Sequence, residues 1–281
     1  MQNNIIIYLL LFQLLLFGHL HSQSSTYIIG EFPSVFTEVE NQFNNGEIDS
    51  AFILCNRILR NDVDEDIKGV AIFYKGQAEE LLQKNPQFEI YYQDAINIFE
   101  TTKFEKGLAM AYCKLADFYF FQNDFLNANA HYNLSISYAN KLNLHQIIID
   151  GYEKKAAISS FNQEPESSID FLKNALYSAS LEKNKQQNKD ILNRISTTYH
   201  SIGQLDSAIH YFQKGLRLKE ELNDSEGLVS DFIALGNLYR ERGDYEEAQQ
   251  HLIEALKIAE TESDTFSITT IYSELGDIYT A

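Results

Sequence analysis

A short signature, leucine-glycine-two residues-tyrosine or a close variant, returns every 40 residues along the chain. Its small residue stands at Ala116, Ala156, Ser196, Gly236 and Gly276. A companion small residue follows 12 positions later, at Ala128, Ser168, Ala208 and Ala248, and another seven after that, at Ser135, Ala175, Gly215 and Ala255. Tyr92 and Ala95 place one more helix on this phase. A fixed period of roughly 20 to 50 residues is the mark of stacked repeats, each of which buries its apolar face only against its neighbours. In the clearest unit, Val229 to Glu260, Phe232, Leu235, Leu238 and Tyr239 make one helical stripe. Tyr245, Ala248, Leu252, Ala255, Leu256 and Ala259 make a second, and Gly243-Asp244 breaks the pattern between them. Two amphipathic helices joined by a short turn form a hairpin. Gly236 and Ala248 fall where the helices cross, and small side chains there let the backbones approach.

Leu235, Gly236, Tyr239, Ala248 and Ala255 match the tetratricopeptide repeat pattern in place, with Phe212 supplying the later aromatic in the preceding unit. The chain therefore resembles the tetratricopeptide repeat family over about residues 32 to 281, although it has no tryptophan. A period longer than the family's 34 implies helices longer by about a turn and a half in total. The resemblance implies an all-α fold, a right-handed α-solenoid (superhelix) of stacked hairpins with about six repeats and a final unpaired helix. The units fall at about 32–68, 69–108, 109–148, 149–188, 189–228, 229–268 and a partial 269–281. In the 69–108 unit the first helix fits better two residues late, on Ala78 and Leu81. Pro86 and Pro165 fall in turns between paired helices, and Pro33 stands where the first helix should begin.

Ahead of the repeats, residues 5–17 read IIIYLLLFQLLLF, an apolar core too short to span a bilayer and of the length of a signal peptide. The expected organisation is a signal peptide over 1–22 and a short linker over 23–31, with Gln23 as the new terminus. The leader carries no Lys or Arg, and the first basic residue is Arg57. Such a chain is expected to be exported, to the periplasm or cell envelope of a Gram-negative bacterium. A membrane enters only through the leader or through a segment beyond Ala281.

The formal net charge of -18, from 40 acidic and 22 basic residues, disfavours nucleic acid, which requires clustered Lys and Arg. Cys55 and Cys113 fall in repeats that do not touch, so no disulfide is expected between them. The chain has no HExxH, CxxC, GxGxxG after a strand, or GxxxxGK motif. No two of His131, His145, His200, His210 and His251 share a helix face at metal-ligand spacing with a carboxylate ready as a third ligand. His131 and His251 occupy one repeated position in their second helices, read as an interhelix or surface place. No catalysis, cofactor or metal is expected.

By resemblance, the inner face of the superhelix is lined by first-helix positions. These are Cys113, Asp117 and Phe120 in one unit, Asn193, Thr197 and His200 in another, and Ile233, Asn237 and Arg240 in the next. Asn237 has the chemistry to hold a partner's backbone by two hydrogen bonds. The lysines of the family's carboxylate-binding clamp are replaced by Asn193 and Ile233. A mixed polar and aromatic groove suits an extended peptide or a partner helix. The expected function is a non-catalytic, exported scaffold that binds a protein or peptide in that concave groove. The alternative is the amino-terminal extracytoplasmic sensor region of a membrane histidine kinase or helix-turn-helix regulator. That alternative follows from the last signature, Leu275, Gly276 and Tyr279, whose second helix is missing. Ile271, Tyr272, Leu275, Ile278 and Tyr279 are expected to demand further cover.

Overall fold

The turns set the rhythm of the fold. In the computed structural model, left-handed backbone recurs at Gln83, Lys103, Asn123, Asn143, Gln163, Lys183, Gly203, Asn223, Gly243 and Ser263, one every 20 residues. Each such residue ends a helix, and the next N–H reaches back five residues to close it. Examples are Phe104 to the Phe99 carbonyl (3.0 Å), Asp124 to Tyr119 (2.9 Å), Gln204 to Tyr199 (3.0 Å) and Asp264 to Ala259 (2.9 Å). The residue that closes one helix then opens the next. Asp124, Asn184 and Asp264 accept from the amides of Asn127, Gln187 and Ser267 three positions on. A helix of 17 residues and a turn of three thus make a half-repeat, and two half-repeats give the 40-residue period.

Only two of these ten turn residues are glycine. A side chain in left-handed backbone costs about 1–2 kcal/mol, against about 0.5–1 kcal/mol for glycine's extra freedom when unfolded. Lys183→Gly is therefore expected to raise stability by about 0.5–1 kcal/mol. Denaturant midpoints of the two chains measure this, and a lowered midpoint for the glycine variant would contradict the turn geometry.

The structure describes residues 27–30, 33–83 and 88–280; the leader over 1–22 and Pro86 lie outside them. The described helices are α1 (Pro33–Asn44), α2 (Ile48–Leu59), α3 (Glu65–Leu82), α4 (Glu89–Thr102), α5 (Glu105–Phe121), α6 (Phe125–Leu142) and α7 (His145–Phe161). They continue as α8 (Pro165–Leu181), α9 (Lys185–Ser201), α10 (Leu205–Glu221), α11 (Leu228–Arg242), α12 (Tyr245–Glu262) and α13 (Thr265–Thr280). The described residues form an all-α solenoid of six hairpins followed by α13. Pro33 begins α1, and Pro165 is the first residue of α8 rather than part of the turn before it. Contacts divide the chain into two units, residues 1–138 and 139–281.

Unit 1 has an aromatic core, in which Phe36, Phe73, Tyr74, Tyr92, Phe99, Phe120 and Tyr132 are buried. Gly76, not Ala78, stands at its α3–α4 crossing. A Cβ there would lie 2.9 Å from the Tyr92 ring, so the 40-residue phase holds without a shift. The register was hidden because neither the leucine nor the tyrosine of the signature accompanies Gly76. Unit 2 has a core of aliphatic and small residues, including Ala156, Ala175, Ala208, Leu235, Ala248, Leu252 and Ala255. A Cβ on Gly236 would lie 2.9 Å from Leu252 Cγ and 3.2 Å from the Ala248 carbonyl, the close crossing read from the signature. Ser196 occupies the same position in α9 and donates to the Ala208 carbonyl at 2.7 Å. Cys55 in α2 and Cys113 in α5 are buried and form no disulfide.

Candidate functional site

A four-residue strap crosses the first-helix face of unit 1. Tyr27 and Ile29 are 6% and 1% exposed, Ile28 is half-buried and Gly30 is exposed, the alternation of an extended chain. Gln77 of α3, itself 1% exposed, grips one residue of the strap with both ends of its amide. Its Oε1 accepts from the Tyr27 N–H at 2.8 Å, and its Nε2 donates to the Tyr27 carbonyl at 3.0 Å. The Ile29 N–H donates to the Tyr74 hydroxyl at 2.7 Å, and that hydroxyl donates to Glu40 Oε1 at 2.6 Å. The Gly30 N–H also reaches Glu40, at 3.1 Å, and Lys106 Nζ donates to the Ile29 carbonyl. Five backbone polar atoms of the strap are therefore satisfied by side chains of α1, α3 and α5. The Tyr27 ring lies under Lys114 Nζ, 5.5 Å from its centroid, and its hydroxyl is 3.2 Å from Cys113 Sγ.

Beneath the strap is a buried polar cluster. Lys114 Nζ is 3.3 Å from Glu80 Oε2, Glu80 also accepts from the Tyr92 hydroxyl, and Asp117 Oδ1 accepts from the Tyr132 hydroxyl at 2.6 Å. Burial acts to lower the Lys114 ammonium, but Glu80 and Asp117 outweigh it and hold the group above the ordinary lysine value. Burial, then Glu80, pushes the Tyr92 phenol well above its usual value. Burial pushes the Cys55 thiol up to about 12, which makes it an inert core group. All three unit-1 candidates are buried here. Cys113 touches the strap, Asp117 holds Tyr132, and Phe120 packs edge-on against Phe121 at 5.5 Å.

The corresponding face of unit 2 is open. Thr197 and His200 of α9 are exposed, while Asn193, Ile233, Asn237 and Arg240 are half-buried. Polar side chains around them tie one first helix to the next. Arg194 of α9 pairs with Glu153 of α7, His200 with Glu241 of α11 at 2.7 Å, and Arg240 of α11 with Glu274 of α13 at 3.1 Å. Asn193 packs its Oδ1 against Gly215, where an added Cβ would come within 2.5 Å. The neutral side chains of this face bond within their own helices: Thr197 Oγ1 donates to the Asn193 carbonyl at 3.0 Å, and Asn237 Oδ1 accepts from Arg240 Nη2 at 3.5 Å. Thr197 and Asn237 stand three and four periods after Gln77, at one place in the repeat. Gln77 was missed at the sequence level because the two-residue shift assigned to that unit hid it. Counting whole periods back from Asn237 finds it.

The repeated histidine position is a stacking place. His131 lies 5.2 Å from Tyr119 and 5.9 Å from Tyr112, and His251 lies 5.3 Å from Tyr239 and 6.1 Å from Phe232. Tyr211 fills the same position against Tyr199 at 5.5 Å, and Phe171 against Tyr152 at 6.2 Å. Burial lowers the His251 imidazole below its ordinary value, favouring the neutral ring between its neighbours. In α13 the equivalent rings, Tyr272 and Tyr279, are 57% and 73% exposed, and Gly276 between them has nothing within 4 Å of a Cβ. The other expected exposures are corrected. Ile271 is buried among Val229, Leu252, Ala255 and Ala259, and Leu275 and Ile278 pack on that cluster, because α13 turns this side toward the preceding hairpin. Among the described residues there is no His, Cys, Asp and Glu group arranged to hold a metal, and no helix is long and apolar enough to cross a membrane.

Residues 156–279 match the family model described as the SusR N-terminal TPR domain. The fold is similar to BtubC (BKLC) from P. vanneervenii, at 18% identity, with a TM-score of 0.60 over 80% of this chain and 92% of that one. It is also similar to the apo form of RapI, at 19% identity and a TM-score of 0.61 over 88% of this chain and 70% of that one. A Rap protein complexed with Competence and Sporulation Factor aligns at 15% identity, with a TM-score of 0.54 over 92% of this chain and 77% of that one. No curated protein matches the sequence significantly. Residues 156–279 are thus a tetratricopeptide repeat region, the rest of the chain shares its helical-repeat fold, and no catalytic family is indicated.

Proposed function

We propose that the chain is a non-catalytic scaffold that binds an extended peptide or protein segment along its first-helix faces. The observation that carries this reading is the Gln77 amide closed on the Tyr27 backbone, at a repeat position held in unit 2 by the exposed Thr197 and the half-buried Asn237. Backbone-directed bonds with pockets for alternate side chains are a general mode of peptide capture. The likeness to a Rap protein solved with Competence and Sporulation Factor supports a partner-binding role for this fold. Peptides selected against the intact chain from a random library are expected to lose about 10- to 100-fold in affinity on Asn237→Ala, the loss of a buried amide pair at about 1–3 kcal/mol. They are expected to ignore Tyr177→Ala, on an exposed second-helix position. Peptides that bind through Tyr177 and disregard Asn237 would overturn the reading.

The apolar leader supports export to the periplasm or cell envelope. The chain recovered from that compartment is expected to begin at Gln23 by intact mass. Recovery from the cytoplasm with residues 1–22 in place would overturn export. A second reading, as the sensor region of a membrane histidine kinase or helix-turn-helix regulator, is favoured by the uncovered Tyr272–Gly276–Tyr279 face. The coding sequence beyond Ala281 decides it: a membrane span supports the sensor, and a prompt stop supports the scaffold.

A further inference from the structure

We infer that Tyr27–Gly30 is a tethered ligand, and that the site it fills on α1, α3 and α5 accepts from another protein an extended peptide with an aromatic residue and, two positions on, a branched aliphatic one. The inference rests on the scaffold reading and deepens it by naming the peptide class and the segment that competes for the site.

Three observations carry it. The strap belongs to no helix, and five of its backbone polar atoms are bonded by side chains of the fold. Side-chain recognition of this kind reads the main chain of any extended peptide. The Gln77 amide offers the donor and acceptor that an adjacent strand would offer, and it does so to a single residue. The side-chain choice is made by two buried places. One takes the Tyr27 ring, between the Lys114 ammonium and the Cys113 thiol. The other takes Ile29, which is almost wholly buried beside Tyr74 and Lys106. Ile28 is half-buried and Gly30 is exposed, and Gly30 holds left-handed backbone at φ +69°, so the strap ends in a turn that favours glycine. Emptying the site would leave the Gln77 amide, buried at 1% exposure, without the partners it now has, so a bound chain is the low-energy state.

The strap lies six residues ahead of α1 at its Tyr27 end, so its local concentration is on the order of millimolar. If the segment alone binds at roughly 10 µM, an incoming peptide is weakened roughly 100-fold. The strap is then a threshold: only a peptide that fits better, or is abundant, displaces it.

The test uses the full chain and a fluorescein-labelled synthetic peptide of residues 24–30. The intact chain is expected to bind it weakly. The chain carrying Tyr27→Ser and Ile29→Ser, which releases the strap, is expected to bind roughly 10- to 100-fold more tightly. Adding Gln77→Ala to that variant should remove most of the gain, and a peptide with serine at both anchor positions should not bind. A released variant with native circular dichroism and melting that binds no better than the intact chain overturns the proposal. Should the released variant fail to fold, the intact chain is followed by amide hydrogen exchange under millimolar peptide. Faster exchange at Tyr27 and Ile29, with α3 unchanged, supports displacement, and unchanged strap protection overturns it. Library peptides that still depend on Asn237 would leave the scaffold reading standing while this inference falls.

Discussion

Replacing Lys114 with alanine is expected to cost unit 1 about 3–5 kcal/mol, because it removes one partner from a buried ion pair and leaves the other charge behind. Lys114 is 1% exposed, its Nζ lies 3.3 Å from Glu80, and the Asp117 carboxylate is close enough to help hold the ammonium charged. With the ammonium gone, the Glu80 and Asp117 carboxylates lose the cation both act on and keep only the Tyr92 and Tyr132 hydroxyls as donors named above. Removing the second charge as well, in Lys114→Met with Glu80→Gln, should recover much of the loss, since like-sized apolar and neutral groups often replace buried pairs at little cost. Denaturant unfolding of the three chains measures both steps. A loss below about 1 kcal/mol for alanine would show that the cluster is hydrated.

The same cluster fixes the sign of an alkaline effect. Lys114 and Tyr92 both hold their protons more tightly folded than unfolded, where their ordinary values are 10.5 and 10.0. The native state therefore binds more protons at high pH. The associated stability is fully present below pH 10 and is lost as pH rises past those values. Burial together with Glu40 shifts Tyr74 the same way, so unit 1 is expected to loosen above pH 10.

Replacing Gly236 with alanine is expected to cost about 1–3 kcal/mol, while the identical change at Gly276 is expected to add about 0.5–1 kcal/mol. The two glycines hold one repeat position. At Gly236 the new methyl meets Leu252 Cγ at 2.9 Å and the Ala248 carbonyl at 3.2 Å. Backbone cannot yield as a side-chain tip can, so α11 and α12 would have to separate. At Gly276 nothing lies within 4 Å, and only the helix preference for alanine over glycine acts. The contrast also reports on cover for α13. When a further helix crosses Gly276 as α12 crosses Gly236, the alanine should change from gain to loss. Thermal unfolding of both variants in the 281-residue chain measures the first difference.

Residues that repeat were legible in the sequence, and residues that do not repeat were not. Gly236 and Ala248 announce their crossing because the close approach demands small side chains and recurs every 40 residues. The underlying 20-residue beat was not visible, because most left-handed turn positions hold lysine, glutamine, asparagine or serine. Lysine and glutamine, at Gln83, Lys103, Gln163 and Lys183, carry no turn signal, and the asparagine and glycine positions between them are too irregular to show the beat. Gly76 kept the phase but lacked the leucine and tyrosine that would have marked it. The burial of Cys113, Asp117 and Phe120 was beyond a repeat pattern for a different reason. What occupies that face is a stretch with no periodicity, held by side chains 45 to 77 positions away in Tyr74, Gln77 and Lys106. The uncovered aromatic pair of α13 was read correctly at Tyr272 and Tyr279. Ile271, Leu275 and Ile278 were misplaced because the signature alone does not say which side of a terminal helix meets the preceding hairpin.

The central claim is that a first-helix side chain of this solenoid holds extended backbone. Amide hydrogen exchange on the full chain tests it most directly. The Tyr27 and Ile29 amides are expected to exchange at least about 10-fold more slowly than in an unstructured peptide, consistent with a local opening free energy above ~1.4 kcal/mol. Gln77→Ala should release the Tyr27 amide while the α3 amides stay protected. Exchange at Tyr27 and Ile29 as fast as in a free peptide, or a Tyr27 amide indifferent to Gln77→Ala, would contradict the account.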